Sequence, residues 1–217
     1  MNKAILISIQ PKWCELIANG KKTVEVRKTR PKLETPFKVY IYCTQGDALA
    51  CPCLNMPKYT IHRMNGGTLK GRRMTAEERE KSDYSFANGK VIGEFVCDRI
   101  DEYTNYSLDE QSGHIERREK LLRSACMTLR DWYDYIGNYT SDYGCVWHIS
   151  NLVIYDEPKE LCEFYRKCNE GCEDCYLWQN VRVNSEEFDM DCASKYYGHI
   201  PLKRPPQSWC YVEELSE

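Results

Sequence analysis

The sequence predicts an α+β fold in which short strands outnumber short helices and two long polar segments interrupt the frame. Three observations lead there. Short apolar, β-branched runs recur, as at Ile5–Ile9 and Phe37–Cys43, and such runs read as strands. The first run opens a strand–helix–glycine–strand unit over residues 5–27. Segments 44–89 and 165–200 are rich in turn-forming and polar residues, and both read as insertions within a single domain spanning 1–217.

Each element has a local cause. Pro11 suits the first turn of a helix, where its missing N–H would be unpaired anyway. Trp13, Leu16 and Ile17 then share one helical face. Asn19-Gly20 stops that helix, because Gly20 is free to turn left-handed. Thr23 to Arg27 alternates: Val24 and Val26 point one way, and Thr23, Glu25 and Arg27 the other. Lys90 to Ile100 is the strongest strand pattern in the chain. Leu129 to Ile136 reads as a short helix that Gly137 ends. Cys145–Ile149 and Leu152–Tyr155 read as a strand or bent pair, Pro158 and Leu161 as a final turn or helix, and Ser208–Val212 as the closing strand. A basic helical piece is expected near Thr75–Lys81.

Composition narrows the class. Hydrophobic residues are 42% and charged residues 29%, which places the chain with soluble globular proteins and not disordered ones. No apolar run approaches the roughly 18–20 residues of a membrane span. The leading apolar run is too short for a signal peptide and no small-residue cleavage site follows, so a cytoplasmic protein is expected. Residues 1–81 hold 16 Lys/Arg against 7 Asp/Glu, and residues 82–217 hold 14 against 26. A basic N-terminal portion makes a footprint for phosphate, or simply a solvated face of opposite sign to its neighbour.

Lys22, Glu25 and Arg27 form the first constellation. Glu25 and Arg27 share a strand face, about 7 Å apart by strand rise, and Lys22 sits at the turn entering the strand. A carboxylate between two cations orients a guanidinium for planar recognition of phosphate or a base edge. It also suits a lysine serving as acid or base. The alternative is an exposed strand with an ion pair of little worth.

Ser8-Ile9-Gln10-Pro11, Ile17 and Gly20-x-Lys22-x-x-Glu25-x-Arg27 resemble the signature of ASCH domains. Val91-Ile92-Gly93-Glu94, Tyr143 to Ile149 with Pro158, and Arg204 to Val212 resemble the family's later strands and ending, as found in prophage and bacterial ASCH proteins. The resemblance covers roughly 3–43, 90–164 and 201–213. It implies a PUA-like small mixed β-barrel with short flanking helices. It also implies a cleft for RNA, another single-stranded nucleic acid or a nucleotide, lined by Lys22, Glu25 and Arg27, with Ser8, Gln10 and Trp147 as neighbours. Trp13 is expected in the core.

One branch of that family hydrolyses the acetyl amide of N4-acetylcytidine with a Lys, a Thr three residues later and a Glu ahead of a Thr-Leu helix. Here Lys22 matches, Glu25 stands in the Thr position, and Ser124 to Met127 contains no Glu. If the chain is an enzyme of this kind, Lys22 is the base or nucleophile and Glu25 its partner. A phage-associated interaction protein is a further alternative.

Thirteen cysteines are many, and disulfides do not persist in a reducing compartment. Cys14, Cys43, Cys97 and Cys145 fall on core elements and read as small buried hydrophobes. His148 reads as a partly buried, satisfied histidine. Cys168, Cys172, Cys175 and Cys192 lie in the second insertion at C-x₃-C-x₂-C spacing with a distant fourth member, a set that suits tetrahedral zinc. Cys162 or His199 is an alternative ligand. A small loop-rich insertion gains its fold from such a metal. Metal analysis of protein prepared without added zinc is expected to give about one zinc per chain. Metal-free protein with full folding would remove that expectation.

Overall fold

In a computed structural model of the chain, residues 2–45, 88–108, 115–167 and 199–215 are described. They form β1 (Lys3–Ile9), α1 (Pro11–Ala18), β2 (Val24–Arg27), β3 (Phe37–Cys43), β4 (Val91–Thr104), α2 (Ile115–Ala125), α3 (Leu129–Ile136), β5 (Tyr143–Lys159), β6 (Tyr165–Lys167), β7 (His199–Pro201) and β8 (Trp209–Glu213). Six strands make one sheet in the order β2-β5-β4-β3-β1-β8. Only β1 and β3 run parallel; the other pairs are antiparallel.

The sheet is mixed and barrel-like, as the resemblance to ASCH domains implies. β4 and β5 are long, and their pairing shifts register at Val91/Gly93, Glu94/Val96 and Cys97/Ile100. Each shift bends the strands and adds twist. At Gly93 a Cβ would lie 2.3 Å from the Val153 carbonyl, so the backbones approach there as only glycine allows. The curl brings the two edges, β2 and β8, toward each other. No ladder joins them. Side chains do: Arg27 Nη1 to the Ser208 hydroxyl at 3.4 Å, Trp209 Nε1 to the Thr29 hydroxyl at 3.1 Å, and the Lys32 amide to the Tyr211 hydroxyl at 2.8 Å.

Alternation along the strands divides the core. Ile5, Ile7, Ile9, Ile41, Phe95 and Trp147 fill the concave interior with Ile17 of α1. Val24, Val26 and Val146 point to the outer side, where α2 and α3 cover them with Leu121, Ala125, Trp132 and Ile136. Leu6, Tyr40, Tyr42 and Val212 form a third cluster around Phe164. Cys14, Cys43, Cys97 and Cys145 are all buried. Burial pushes the Cys97 thiol up to about 12 and the Cys145 thiol up to about 11, so both stay protonated.

Two helices match their sequence expectation. α1 starts on Pro11, and α3 runs from Leu129 to Ile136. Thr128 caps α3 through a reciprocal box with Asp131, and those bonds hold the Asp131 carboxyl below the usual range. The structure differs at three places. α2 carries no predicted counterpart. β4 and β5 run past their predicted ends. Pro158 lies inside β5, with the turn delayed to Leu161–Glu163. β6 and β7 pair across the base of the second insertion. The helical piece near Thr75–Lys81 lies outside the described residues. Among those described, no helix is long and apolar enough to cross a membrane.

Gly20 sets the entry into β2. Its φ is +68°, and nothing lies within 4 Å of a Cβ built there. Replacing Gly20 with alanine therefore meets only backbone strain. Urea unfolding is expected to show a loss of about 1–2 kcal/mol. A loss near zero would mean that the turn relaxes without it.

Candidate functional site

The turn after α1 delivers Lys22 to the end of α2. Backbone bonds fasten it there, from the Thr23 amide to the Ser124 carbonyl and from the Lys21 and Lys22 amides to the Leu16 carbonyl. Lys22 Nζ donates to the Ala125 carbonyl at 2.8 Å. That carbonyl belongs to the last turn of α2, where unpaired carbonyls and the helix dipole favour a cation. The same ammonium lies 3.4 Å from Glu25 Oε2 and 5.0 Å from the centre of the Trp13 ring.

Glu25 is shared between two cations. Its other oxygen, Oε1, lies 3.0 Å from Arg27 Nη2. Arg27 Nη2 also donates to the Ser8 carbonyl on β1 at 2.6 Å, and Nη1 reaches Ser208. All three charged residues are buried: Lys22 is 2% exposed, Glu25 6% and Arg27 7%. The same-face placement of Glu25 and Arg27 follows from strand alternation. The exposed-strand alternative does not hold, because the face points into the barrel. Tyr135 of α3 stands beside this group and hydrogen-bonds with the Arg27 side chain; burial pushes its phenol up, and the Arg27 charge and hydrogen bond pull the other way.

The predicted neighbours divide. Ser8 joins the group, but its hydroxyl is committed to the Pro206 carbonyl at 2.6 Å, and its amide donates to the Ser208 carbonyl. It anchors the 206–208 segment against β1. Trp147 is fully buried opposite Glu25 in the β2–β5 pairing, with its ring edge-on to Phe37 and tilted against Trp209. Gln10 is exposed at the N-cap of α1, where its side chain makes no capping bond. Trp13 packs against the interior cluster and also carries Lys12 and Lys22 over its ring. His148 is satisfied on the outer face, with Nε2 2.9 Å from Asp101 Oδ2 and 3.0 Å from Arg99 Nη2.

Two residues escape a sequence reading: Ala125, which offers only a carbonyl, and Ser208, 181 positions from Arg27. The Pro206–Ser208 stretch was visible only through its likeness to a family ending. Cys168, Cys172, Cys175 and Cys192 lie outside the described residues. Among those described, no cluster of three or more His, Cys, Asp or Glu is arranged to hold a metal ion.

Two buried donors have no acceptor among the described residues: Arg27 Nε and Trp147 Nε1. Both belong to this site, on adjacent strands. With Glu25 and Ser8 holding the Nη2 corner of the guanidinium, its plane is fixed and Nε–H is left over.

Among the described residues, Glu25 is the counter-charge that both buried cations share. Glu25→Ala is expected to cost about 3–5 kcal/mol in urea unfolding, because it strands both charges in the interior. A cost below about 1 kcal/mol, the range of an exposed pair, would contradict the burial described here.

Residues 7–141 match the family described as the ASCH domain. No curated protein sequence matches the chain. The fold is similar to the crystal structure of ASCH from Zymomonas mobilis, at 16% identity and a TM-score of 0.47 over 97% of this chain and 88% of that one. A mutant form of the same protein gives 16% identity and a TM-score of 0.44 over 98% and 92%. The N-terminal domain of McrB from Staphylothermus marinus gives 12% and 0.35 over 93% and 92%. These superpositions are loose and carry no argument about residues. The family match takes in well over half of the chain, from β1 to the end of α3, with the Lys22, Glu25 and Arg27 group inside it. On that ground the chain belongs to the ASCH domain family.

Proposed function

We propose that the chain binds a nucleotide or a single strand of RNA at this group, with Arg27 and Trp147 donating to oxygen or nitrogen acceptors of a base edge or phosphate. The unpartnered pair, Arg27 Nε and Trp147 Nε1, carries the reading. A buried donor left unpaired costs about 1–3 kcal/mol. Two such donors on the paired strands β2 and β5 call for an explanation, and a ligand that supplies acceptors is one. Neither group can accept a hydrogen bond, so the complementary ligand presents acceptors. Base carbonyls, ring nitrogens and phosphate oxygens are such groups.

The electrostatics support the same ligand. Two cations against one carboxylate leave the group with an excess positive charge, and residues 1–81 are basic as a whole. That excess draws anions toward the site.

The amidohydrolase alternative asks Lys22 to serve as base or nucleophile. Its ammonium is bonded to the Ala125 carbonyl, paired with Glu25 and faced by Trp13. Those contacts favour a positioning ammonium, and the binding reading is preferred for that reason.

Isotope-labelled protein tests the proposal. The Trp147 indole N–H, assigned with Trp147→Phe, is expected to shift on titration with cytidine monophosphate or a short oligouridylate. Arg27→Lys keeps the charge but loses the planar fork, and binding is expected to weaken about tenfold or more. Binding that leaves the Trp147 resonance in place, or that Arg27→Lys leaves at wild-type strength, would contradict it.

A further inference from the structure

The seam between β2 and β8 carries a feature that the buried group does not use. Beyond Arg27 the chain continues as Lys28-Thr29-Arg30-Pro31-Lys32. Lys28, Arg30 and Lys32 are exposed, and Pro31 is buried. The segment is tied to β8 at two points, Thr29 to Trp209 and the Lys32 amide to Tyr211. Its cations are thus carried on a held backbone and recur at every second residue. The backbone bends at Lys28 and again at Lys32, and all three cations stay exposed through both bends.

These charges are lightly used. Arg30 Nη1 lies 3.7 Å from Glu102 Oε1, with the two side chains 44% and 51% exposed, and a pair so placed is worth little. Lys28 Nζ lies 5.6 Å from the Tyr135 ring centre. Lys3 adds a further cation at the far end, 5.9 Å from the Tyr211 ring centre.

Beside this row runs a series of aromatic rings. Centroids of Phe37 and Trp147 are 5.8 Å apart, of Trp147 and Trp209 6.0 Å, and of Trp209 and Tyr211 5.5 Å. The inner end carries the unpartnered Trp147 donor. The outer end is Tyr211, 37% exposed and braced by Trp209. A braced, exposed ring offers a stacking face for any base. The rings thus lead from the site to the surface, and the cation segment is fastened to the outer two of them, Trp209 and Tyr211.

We infer that the seam is a track for single-stranded nucleic acid, with phosphates on Lys28, Arg30 and Lys32 and a base against Tyr211. The inference rests on the proposed nucleotide site and extends it: one nucleotide enters at Arg27 and its neighbours lie along the seam. Alternating cations beside a stacking ring suit a strand whose bases are unpaired. A duplex would hide its base faces, and an acidic peptide would leave the ring without a partner.

The test is fluorescence anisotropy with a labelled oligouridylate and the full chain across about 50–200 mM salt. The variants are the triple change Lys28→Ala, Arg30→Ala, Lys32→Ala and the single changes Tyr211→Ala and Tyr211→Phe. The three cations are exposed, so unchanged thermal midpoints are expected in the triple variant. Each phosphate released lowers the log–log salt slope by about 0.7, so the triple variant is expected to flatten it by about 2. Tyr211→Phe keeps the ring and loses only the hydroxyl tie to the Lys32 amide, so it is expected to bind within about twofold of wild type, whereas Tyr211→Ala is expected to weaken binding about tenfold at every salt concentration. Wild-type binding with the same slope in the triple variant overturns the track and leaves the Arg27 site standing. No wild-type binding removes both. Tighter binding of a duplex, or equal affinity for an oligoglutamate, also overturns the track.

Discussion

The structure turns on one carboxylate. Glu25 lies inside the barrel between Lys22 and Arg27, and few arrangements of a protein chain tolerate that. Desolvating three charges is costly, and their mutual attraction repays it only when the remaining donors find partners. Here those partners come from distant parts of the chain. The end of α2 receives Lys22 through Ala125, β1 receives Arg27 through the Ser8 carbonyl, and the approach to β8 receives it through Ser208. Satisfying the charges thus locates a helix, a strand and the C-terminal segment relative to β2.

That constraint also explains how a sheet of six strands becomes barrel-like without a closed ladder. β2 is four residues long and pairs with β5 alone, with no ladder to β8. Arg27 spans the gap because a guanidinium donates in several directions within one plane. A lysine carries one nitrogen in place of the Nη2 that meets Glu25 and Ser8, and lacks the Nη1 that reaches Ser208. Ser8 completes the join by holding the Pro206 carbonyl. Residue types that look like a ligand-binding motif therefore do structural work first, and among the guanidinium nitrogens Nε is left without a partner among the described residues.

Much of this was legible locally. Pro11, Gly20 and the Thr23–Arg27 alternation fix the opening unit, and its Lys, Glu and Arg fall where the spacing places them. The burial of those charges was not legible, because charged residues on a strand read as a solvent face until the strand across from them is known. α2 escaped for a related reason. It buries only Leu121 and Ala125 fully and is otherwise rich in charge, so it leaves little apolar period to detect. The extensions of β4 and β5 depend on pairing with each other across bulges, which no single-strand pattern records. Ala125 and Ser208 enter through long-range contacts alone. The expected zinc ligands belong to a segment beyond the described residues.

A double-mutant cycle on Glu25 and Arg27 tests most directly whether the buried charges act as one unit. Glu25→Gln, Arg27→Met and the double variant would be unfolded in urea alongside the wild type. Residues sharing one network are expected to show a coupling energy of about 1–3 kcal/mol, with the double variant less destabilised than the sum of the singles. Additive single effects would mean that Glu25 does not hold Arg27, and the account of both the seam and the site would fail.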